Sequence, residues 1–249
     1  MSFPNVTAVI PVYNHELAVR DVAAALRAHG LPVVMVDDGS NEACRLTLEK
    51  LARDSGDRLV RLPVNGGKGA AVIAGLREAL ALGYTHALQV DADGQHDLRD
   101  VPRFLDAARR EPECVICGRP VFDASIPRVR FLSRYITHAL VWLQTLSFSA
   151  VRDSMCGFRL YPLRTVLEVV DHDGVGTRMD FDVELLVKLV WRGRMLRWID
   201  TRVSYPADGI SHFRMLYDNL RLAGMHVRLV LGMLWRSPML IWRRVRGLG

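Results

Sequence analysis

The sequence predicts an α/β fold in which helices flank a mainly parallel sheet. Half of the 249 residues are apolar, and strand-like and helix-like segments alternate from the first residues onward. Neither a low-complexity stretch nor an internal repeat interrupts this alternation. A chain of this length and apolar content buries a full core as one large domain, or as one domain with an appendage. Because strands that alternate with helices need crossover connections, neighbouring strands are predicted to run parallel.

The first half of the chain contains the alternation in its most regular form. Short apolar runs bounded by turn residues predict strands, and longer stretches with apolar residues three or four positions apart predict helices. Asn14 stands where it could cap the first helix. The predicted strands are residues 6–12, 32–36, 59–62, 88–90 and 114–117, and the predicted helices are residues 16–29, 41–53, 68–82 and 100–110.

The second half is more helical. Residues 127–148 carry apolar side chains at roughly helical spacing. Further helices are predicted at residues 181–191 and 212–236, an edge strand is predicted at residues 197–205, and Pro238 is expected to start a fresh segment. We therefore predict a domain at residues 1–218 and a basic amphipathic helical tail at residues 219–249.

The positive charge of the chain is concentrated in this tail. The formal net charge is +6, and residues 219–249 contain six arginines and no acidic residue, so the rest of the chain is neutral. The longest uncharged run of the tail, residues 229–235, is far shorter than the roughly 20 residues that span a bilayer. Arginines beside tryptophans suit a peripheral helix on anionic lipid. The alternative is a terminal helix that packs on the domain with its arginines solvated.

Other classes of protein fit the composition less well. No secretory signal precedes the first predicted strand, so the expected location is the cytoplasm, at the inner face of the cytoplasmic membrane. Cys114 and Cys117 lie in a strand-like run without a second ligand pair, which favours buried apolar roles over zinc or redox chemistry. Nucleic-acid binding is not expected, because the body is neutral and the basic residues lack interleaved aromatic side chains.

The most informative segment is residues 87–96, where a strand-like apolar run ends in oxygen-bearing side chains. Asp91, Asp93 and Gln95 follow that run at alternate positions, whereas the Asp-x-Asp pairs at residues 171–173 and 180–182 have no such context. In open α/β sheets ligands bind at the carboxyl ends of strands. Oxygen ligands without Cys or His suit Mg²⁺ or Mn²⁺ that bridges to substrate phosphates. We predict a metal–diphosphate site at these three residues.

Three further loops are predicted at the same edge of the sheet. Residues 11–14 follow the first strand, residues 37–40 (Asp-Asp-Gly-Ser) follow the second, and residues 65–69 (Asn-Gly-Gly-Lys-Gly) precede a helix. Glycines let the backbone approach phosphate, and a helix amino terminus favours anions. Lys68 adds a positive charge suited to a diphosphate. Each loop alone is more often an ordinary turn, and it is their joint occurrence that favours a ligand site.

The order of these motifs continues through the second half of the chain. The matching segments are residues 9–14 (Val-Ile-Pro-Val-Tyr-Asn), 36–40, 65–69, 91–96, 118–119 (Gly-Arg), 153–161 (Asp-Ser-Met-Cys-Gly-Phe-Arg-Leu-Tyr), 181–186 (Phe-Asp-Val-Glu-Leu-Leu) and 209–213 (Gly-Ile-Ser-His-Phe). In combination they resemble glycosyltransferase family 2, and within it the polyprenyl or dolichyl phosphate mannosyl- and glucosyltransferases. The resemblance covers residues 5–218 and implies a GT-A fold, a GDP- or UDP-linked sugar donor and inversion at the anomeric carbon.

The resemblance also implies roles for individual residues. Pro11, Tyr13, Asn14, Glu16, Asp38, Lys68 and Asp91 would contact the nucleotide sugar, and Asp91, Asp93 and Gln95 would hold the metal. Arg119 with Arg128, Arg130 or Ser133 would receive an acceptor phosphate. Residues 153–159 are expected to present Arg159 or the Cys156–Gly157 turn towards the sugar. The alternative for residues 153–159 is an internal ion pair between Asp153 and Arg159. The chain departs from the family at His15, where the family commonly has Glu.

The nature of the acceptor decides whether a general base is needed. A lipid phosphate is already anionic, whereas a hydroxyl acceptor needs a carboxylate within hydrogen-bond reach. Asp180, Asp182 and Glu184 are the candidates, with surface charge plus a helix N-cap as the other interpretation of these residues. We expect a metal-dependent transferase for a lipid-linked acceptor, with Asp182 and Arg119 as catalytic residues. A hydroxyl acceptor on a lipid head group and a non-catalytic nucleotide-sugar-binding protein are the alternatives.

Overall fold

Helices and strands alternate along most of the chain, as predicted. The structure, a computed structural model, describes residues 4–122, 128–204 and 215–246, and the side chains of residues 128–133 and 215–216 lie outside this description. The strands are β1 (Val6–Val12), β2 (Val33–Asp37), β3 (Arg58–Arg61), β4 (His86–Gln89), β5 (Val115–Phe122), β6 (Arg159–Pro162) and β7 (Leu196–Val203). The helices are α1 (Ala18–Ala28), α2 (Glu42–Ser55), α3 (Lys68–Ala81), α4 (Val101–Arg110), α5 (Arg128–Thr145), α6 (Leu163–Asp173), α7 (Phe181–Trp191) and α8 (Met215–Val245).

The strands of the described residues form one sheet in the order β3-β2-β1-β4-β6-β5-β7. Every pair is parallel except those of β6, which runs antiparallel to both β4 and β5. The predicted mainly parallel sheet is confirmed, and β7 is the predicted edge strand. The sequence did not predict β6 and the helix α6 that follows it. β6 has only four residues, and with Arg159 and Pro162 at its ends it lacks the alternating pattern of a strand.

Parallel pairing brings the loops after β1, β2 and β4 to one edge of the sheet. Val12 at the end of β1 is in register with Asp37 at the end of β2. Val9 of β1 pairs with Gln89, the last residue of β4. Ligands of open α/β sheets bind in the crevice at this edge. The predicted convergence of these loops is therefore confirmed.

The sheet separates two hydrophobic clusters. On β1, Ala8 and Ile10 belong to one cluster and Val9 belongs to the other, because successive side chains of a strand point to opposite faces. The first cluster includes residues of α1, α2 and α4, and the second includes residues of α3, α6, α7 and α8. All four cysteines are buried and free. Burial raises the pKa of the Cys117 thiol to about 12, in agreement with the predicted apolar role of Cys114 and Cys117.

Asn14 joins two loops and does not cap α1, so that prediction is wrong. The helix begins at Ala18 with Leu17 at the N-cap position and no side-chain cap. Asn14 adopts a left-handed backbone with φ of 52°, which asparagine tolerates better than most residues. Its side-chain oxygen accepts from the Asn41 N–H at 2.8 Å, and its own N–H donates to the Ser40 hydroxyl at 3.1 Å. Asn14 thus ties the loop after β1 to the loop after β2.

Helix α8 is continuous from Met215 to Val245, so the predicted break at Pro238 is wrong. Proline has no N–H with which to bond the carbonyl four residues earlier. That carbonyl belongs to Leu234, and it accepts a hydrogen bond of 2.9 Å from the Ser237 hydroxyl. The predicted boundary between residues 218 and 219 falls inside this helix. Within the described residues, no helix combines the length and the apolar character needed to cross a membrane.

The inner side of α8 is part of the core. Met225, Leu229, Met233 and Leu240 are buried and belong to the same hydrophobic cluster as α3, α6 and α7. Leu240 follows Pro238, so the packing continues beyond the proline. The packed-helix interpretation of the tail is therefore correct for this side of α8.

Met233→Ala is expected to lower the free energy of unfolding by about 2–5 kcal/mol, because it leaves a cavity beneath α8. Leu234→Ala is the matched control: the neighbouring Leu234 is 58% exposed, and its truncation is expected to change stability by about 0.5 kcal/mol or less. Urea denaturation followed by circular dichroism measures both. Equal small effects would mean that α8 is not part of the folded core.

Candidate active site at the carboxyl edge of the sheet

The Lys68 ammonium lies at the centre of the site. Lys68 is the first residue of α3, and its Nζ is 2.8 Å from Asp91 Oδ1 and 2.8 Å from Asp182 Oδ2. Burial alone would lower the pKa of Lys68, but the Asp182 and Asp91 carboxylates outweigh it and raise the pKa above its usual value. The lysine is therefore a fixed positive charge. It joins the end of β4 to the first turns of α3 and α7.

Asp91 and Asp93 follow β4, and their ionisation equilibria are shifted in opposite directions. Burial opposes ionisation of Asp91, but Lys68 and His96 hold its pKa below the usual range. The His96 Nε2 atom is 3.6 Å from Asp91 Oδ2. Burial and the neighbouring Asp91 charge raise the pKa of Asp93. A positive charge placed between these two carboxylates would remove their repulsion.

The donor set of this segment fits a hard divalent cation. Asp91, Asp93 and Gln95 offer oxygen ligands, and Asp93 Oδ1 also accepts from the Gln95 N–H at 3.0 Å. In the part of the chain that the structure describes, no three His, Cys, Asp or Glu side chains converge as a metal-binding group. Mg²⁺ is usually bound by one or two carboxylates together with substrate phosphates and water.

Asp38 holds the glycine loop, residues 65–69, against the end of β2. Its carboxylate accepts from the backbone N–H of Gly66 at 2.7 Å, from that of Gly67 at 2.9 Å and from the Asn65 side chain at 3.1 Å. Burial raises the pKa of Asp38, although these backbone donors oppose the shift. Both oxygens are occupied by the loop. The contact seen for Asp38 is therefore with the glycine loop.

Residues 174–180 cover the other side of the glycine loop. The Thr177 carbonyl accepts from the Ala70 N–H at 2.8 Å. A Cβ on Gly69 would lie 2.8 Å from the Gly176 carbonyl oxygen, so only glycine allows this approach. Arg178 donates to the Asn65 side chain at 3.0 Å and to its carbonyl at 3.3 Å. Arg178 was not predicted from the sequence, because it lies 113 positions after the loop that it contacts.

Arg159 is buried, and its guanidinium bonds to groups of the protein itself. It is 1% exposed and donates to the Asp182 carbonyl at 2.7 Å and to the Ser154 carbonyl at 2.9 Å. Its guanidinium is 3.6 Å from the Asp182 carboxylate. The alternative ion pair with Asp153 does not form, because Asp153 accepts two hydrogen bonds of 2.6 Å from Arg134.

Asp182 is a buried residue, so its interpretation as a surface charge is wrong. It is 5% exposed, and the N-cap position of α7 is held by Asp180. Besides Lys68, its carboxylate contacts Gln89 Nε2 at 3.3 Å. Gln89 in turn accepts from the Tyr161 hydroxyl at 3.2 Å. A chain of buried polar contacts therefore anchors Asp182 beneath the site.

Asp180 and Glu184 also have partners. Asp180 accepts from the Arg178 N–H at 3.0 Å. Glu184 accepts from the Gly176 N–H at 2.8 Å, and its other oxygen is 2.8 Å from Lys188 Nζ. These contacts hold residues 174–180 on the first turn of α7. All three candidates for a general base thus have structural partners.

The predicted acceptor residues either pair with another part of the sheet or lie outside the described residues. Arg119, in the middle of β5, forms two hydrogen bonds of 2.6 Å with Asp200 on the neighbouring strand β7. Arg128, Arg130 and Ser133 belong to the first turns of α5, and their side chains lie outside the described residues. The predicted nucleoside contacts lie at the same edge of the sheet. Pro11 precedes Val12, the last residue of β1, and Tyr13, Asn14 and Glu16 follow the strand. All four side chains are partly accessible.

The chain is similar to proteins of a known family. The family model described as Glycosyl transferase family 2 matches residues 7–166. The polyprenol monophosphomannose synthase of Mycolicibacterium smegmatis is 25% identical over 222 residues, which are 86% of this chain and 82% of that protein. The undecaprenyl-phosphate mannosyltransferase of Micrococcus luteus is 27% identical over 216 residues, which are 84% of this chain and 87% of that protein.

A solved structure shares the architecture. It is the glucosyl-3-phosphoglycerate synthase of Mycobacterium tuberculosis in complex with Mn²⁺, uridine-diphosphate-glucose and phosphoglyceric acid. It matches this chain with a TM-score of 0.65 and 16% identity, over 92% of this chain and 79% of that chain. Together with the family match, this similarity confirms the predicted GT-A fold.

Lys68→Met is expected to destabilise the protein by about 3 kcal/mol at neutral pH, because it leaves two largely buried carboxylates without their cation. The pKa of Asp91 is lowered in the folded protein, so its ionisation stabilises the fold above the ordinary value of 3.8 and ceases to do so in acid. The difference between variant and wild type should therefore persist from pH 7 down to about pH 4 and shrink only as the pH falls below 3.8. Urea denaturation across this pH range measures it.

Lys50→Met is the control for the Lys68 variant. Lys50 pairs with Asp54 on α2, and both side chains are about 60% exposed. Its removal is expected to change stability by about 0.5 kcal/mol or less at every pH. If the Lys68 variant behaved like this control, the contacts of Lys68 with Asp91 and Asp182 would not contribute to the fold.

Proposed function

Because the chain belongs to glycosyl transferase family 2, we propose that it moves a hexose from a nucleotide-diphosphate sugar, GDP- or UDP-linked, to a polyprenyl-phosphate-like lipid acceptor. The transfer proceeds with inversion at the anomeric carbon and requires Mg²⁺ or Mn²⁺. The observation that carries the proposal is the Lys68 ammonium, fixed between Asp91 and Asp182 beside the glycine loop. The acceptor class is supported by two relatives whose names contain polyprenol and undecaprenyl phosphate.

The donor site is proposed between the glycine loop and the segment after β4. Asp91, Asp93 and Gln95 would hold the metal, which when bound would neutralise charge on the leaving diphosphate. Lys68 lies at the amino terminus of α3, where a helix favours anions. Arg178 adds a second cation next to the loop. Pro11, Tyr13, Asn14 and Glu16 remain the proposed nucleoside contacts.

The acceptor is proposed to be an anion because the site holds its carboxylates in other roles. Transfer to a hydroxyl requires a base within hydrogen-bond reach of the proton that it removes. Asp182 is occupied by Lys68, Gln89 and Arg159, and Glu184 by Gly176 and Lys188. A phosphate oxygen needs no such base. Arg119, with Arg128, Arg130 or Ser133, remains the proposed phosphate contact, and Arg119 would then exchange part of its pairing with Asp200.

Donor binding is tested by thermal shift with GDP-mannose, UDP-glucose, UDP-GlcNAc and UDP-galactose, each with and without Mn²⁺. We expect stabilisation by one donor that depends on Mn²⁺ and is lost in Asp93→Asn. Asp171→Asn is the matched control, because Asp171 belongs to another Asp-x-Asp pair, is 55% exposed and pairs with Arg77 on the surface. Stabilisation by no donor, or an equal loss in both variants, would contradict the donor site.

The acceptor is tested with undecaprenyl phosphate and with the free alcohol undecaprenol, using the donor that binds. We expect labelled product with the phosphate and none with the alcohol. Asp182→Asn keeps a hydrogen-bonding side chain and is expected to slow transfer to phosphate by about tenfold or less, because no general base is lost. Product from the alcohol, together with a loss of about 100-fold or more in the variant, would favour the hydroxyl-acceptor alternative. Donor binding without product from either acceptor would favour a non-catalytic binding protein.

A further inference from the structure

Helix α8 is apolar on two opposite sides. Its inner side, which includes Met225, Leu229 and Met233, is buried in the core. The outer face is defined by eight exposed apolar residues: Leu220, Val227, Leu231, Leu234, Trp235, Ile241, Trp242 and Val245. Trp235 and Val245 are among the most exposed side chains of the helix, at 85% and 82%. The hydrophobic core does not explain these eight residues.

The outer face is continuous along most of the helix. At about 100° of rotation per residue, these eight side chains fall on the half of α8 opposite the buried residues. Within the arc of about 120° that the eight side chains span, the other residues between positions 220 and 245 are Ala223, Gly224 and Pro238. Arg228 lies about 20° outside this arc, so no charge interrupts the face. At a rise of about 1.5 Å per residue it is roughly 38 Å long. Exposed apolar surface of this extent marks an interaction site.

Positive charges border the outer face. Arg221, Arg228 and Arg236 lie along one flank of the helix, where they line a groove of about 900 Å³ between α7 and α8. At the carboxyl end, Arg246 lies over the ring of the outward Trp242 at 4.7 Å. No acidic residue follows Asp218 in the chain. An apolar face bordered by arginines and containing two tryptophans matches the interface of an anionic bilayer, where these side chains reach from acyl chains to head groups.

The neighbouring helix α5 adds exposed apolar side chains. α5 and α8 are in contact, with Gln144 of α5 hydrogen-bonded to His226 of α8 at 2.9 Å. Tyr135, Ile136 and Leu143 of α5 are 57%, 60% and 49% exposed. The amino-terminal turns of α5 also contain Arg128 and Arg130, two of the proposed acceptor contacts. The helix next to α8 thus connects the apolar surface to the proposed acceptor side of the domain.

We propose that the outer face of α8 docks on an anionic lipid bilayer, with Trp235 and Trp242 at the level of the head groups. The purpose of this docking rests on the proposed function: it would bring the transferase to a lipid-linked acceptor. Charge favours lipid over a second copy of the chain, because a symmetric dimer would place the same arginine-bordered surface against itself. Anionic head groups instead attract the arginines beside the face, although Arg221 and Arg228 also lie 3.9 Å from Asp180 and 3.5 Å from Glu184.

Sedimentation with vesicles tests the docking on the full chain. Vesicles of phosphatidylcholine alone are compared with vesicles of phosphatidylcholine and phosphatidylglycerol in equal parts. We expect at least about tenfold stronger partitioning to the anionic vesicles, decreasing with added salt. The double variant Leu231→Ser and Trp235→Ser should lose at least about tenfold of this partitioning. Equal binding to both vesicle types would overturn the role of the arginines, and equal binding of variant and wild type would overturn the role of the face.

The control is the double variant Leu46→Ser and Met195→Ser. Both residues are exposed, at 51% and 65%, and lie on α2 and just before β7, so neither belongs to the outer face of α8. This variant removes exposed apolar surface elsewhere on the domain and should partition like the wild type. A matching loss in the control would show non-specific adsorption and would overturn the proposal.

Tryptophan fluorescence and sedimentation equilibrium complete the test. Binding to anionic vesicles should shift the emission to the blue, and Trp235→Phe and Trp242→Phe should each remove part of the shift. A dimer in solution that the outer-face variant abolishes, without vesicle binding by the wild type, would assign the face to a second copy. Thermal shift with the nucleotide sugar is measured on the same samples. Its failure would reject the donor site but leave vesicle binding intact, so the two proposals fail separately.

Discussion

The ion cluster of Lys68, Asp91 and Asp182 is the interaction on which the site depends. Its three members come from the first turn of α3, the end of β4 and the first turn of α7, so one ammonium joins three elements that are distant in the chain. Largely buried charges of this kind persist only with close partners, because each alone would bear a large desolvation penalty. Gly157 shows how closely the chain surrounds them: a Cβ there would lie 2.5 Å from Asp91 Oδ2 and 2.7 Å from Lys68 Nζ.

The position of Asp182 also couples the site to the middle of the sheet. Gln89 on β4 and Arg159 on β6 both contact its carboxylate, and Tyr161 bonds Gln89. Buried polar networks with satisfied members fix one arrangement of the groups that they contain. The same helix turn carries residues 174–180 across the glycine loop. The phosphate side and the metal side of the proposed donor site are therefore held by a common support.

Much of this arrangement follows from local sequence patterns, and the remainder does not. The loops after β1, β2 and β4 were predictable, because parallel strands deliver their carboxyl ends to one edge. Three other features could not be predicted, because each depends on a partner far away in the chain. They are strand β6, the burial of Arg159 and the contact of Arg178 with Asn65. Arg159 illustrates the reason: in the sequence an arginine suggests a ligand contact, and only tertiary packing places two carbonyls and a carboxylate around it.

Helix α8 shows why the sequence left two interpretations of the tail open. An amphipathic pattern with one apolar side fits either packing on a domain or lying on a membrane. α8 has two apolar sides, and the buried Met225, Leu229 and Met233 satisfy the first interpretation without using the side that carries Trp235 and Trp242. The two interpretations are therefore compatible. A helix fixed to the core by one side holds its other side in a constant orientation, so the domain would meet a surface with its sheet edge at a fixed angle.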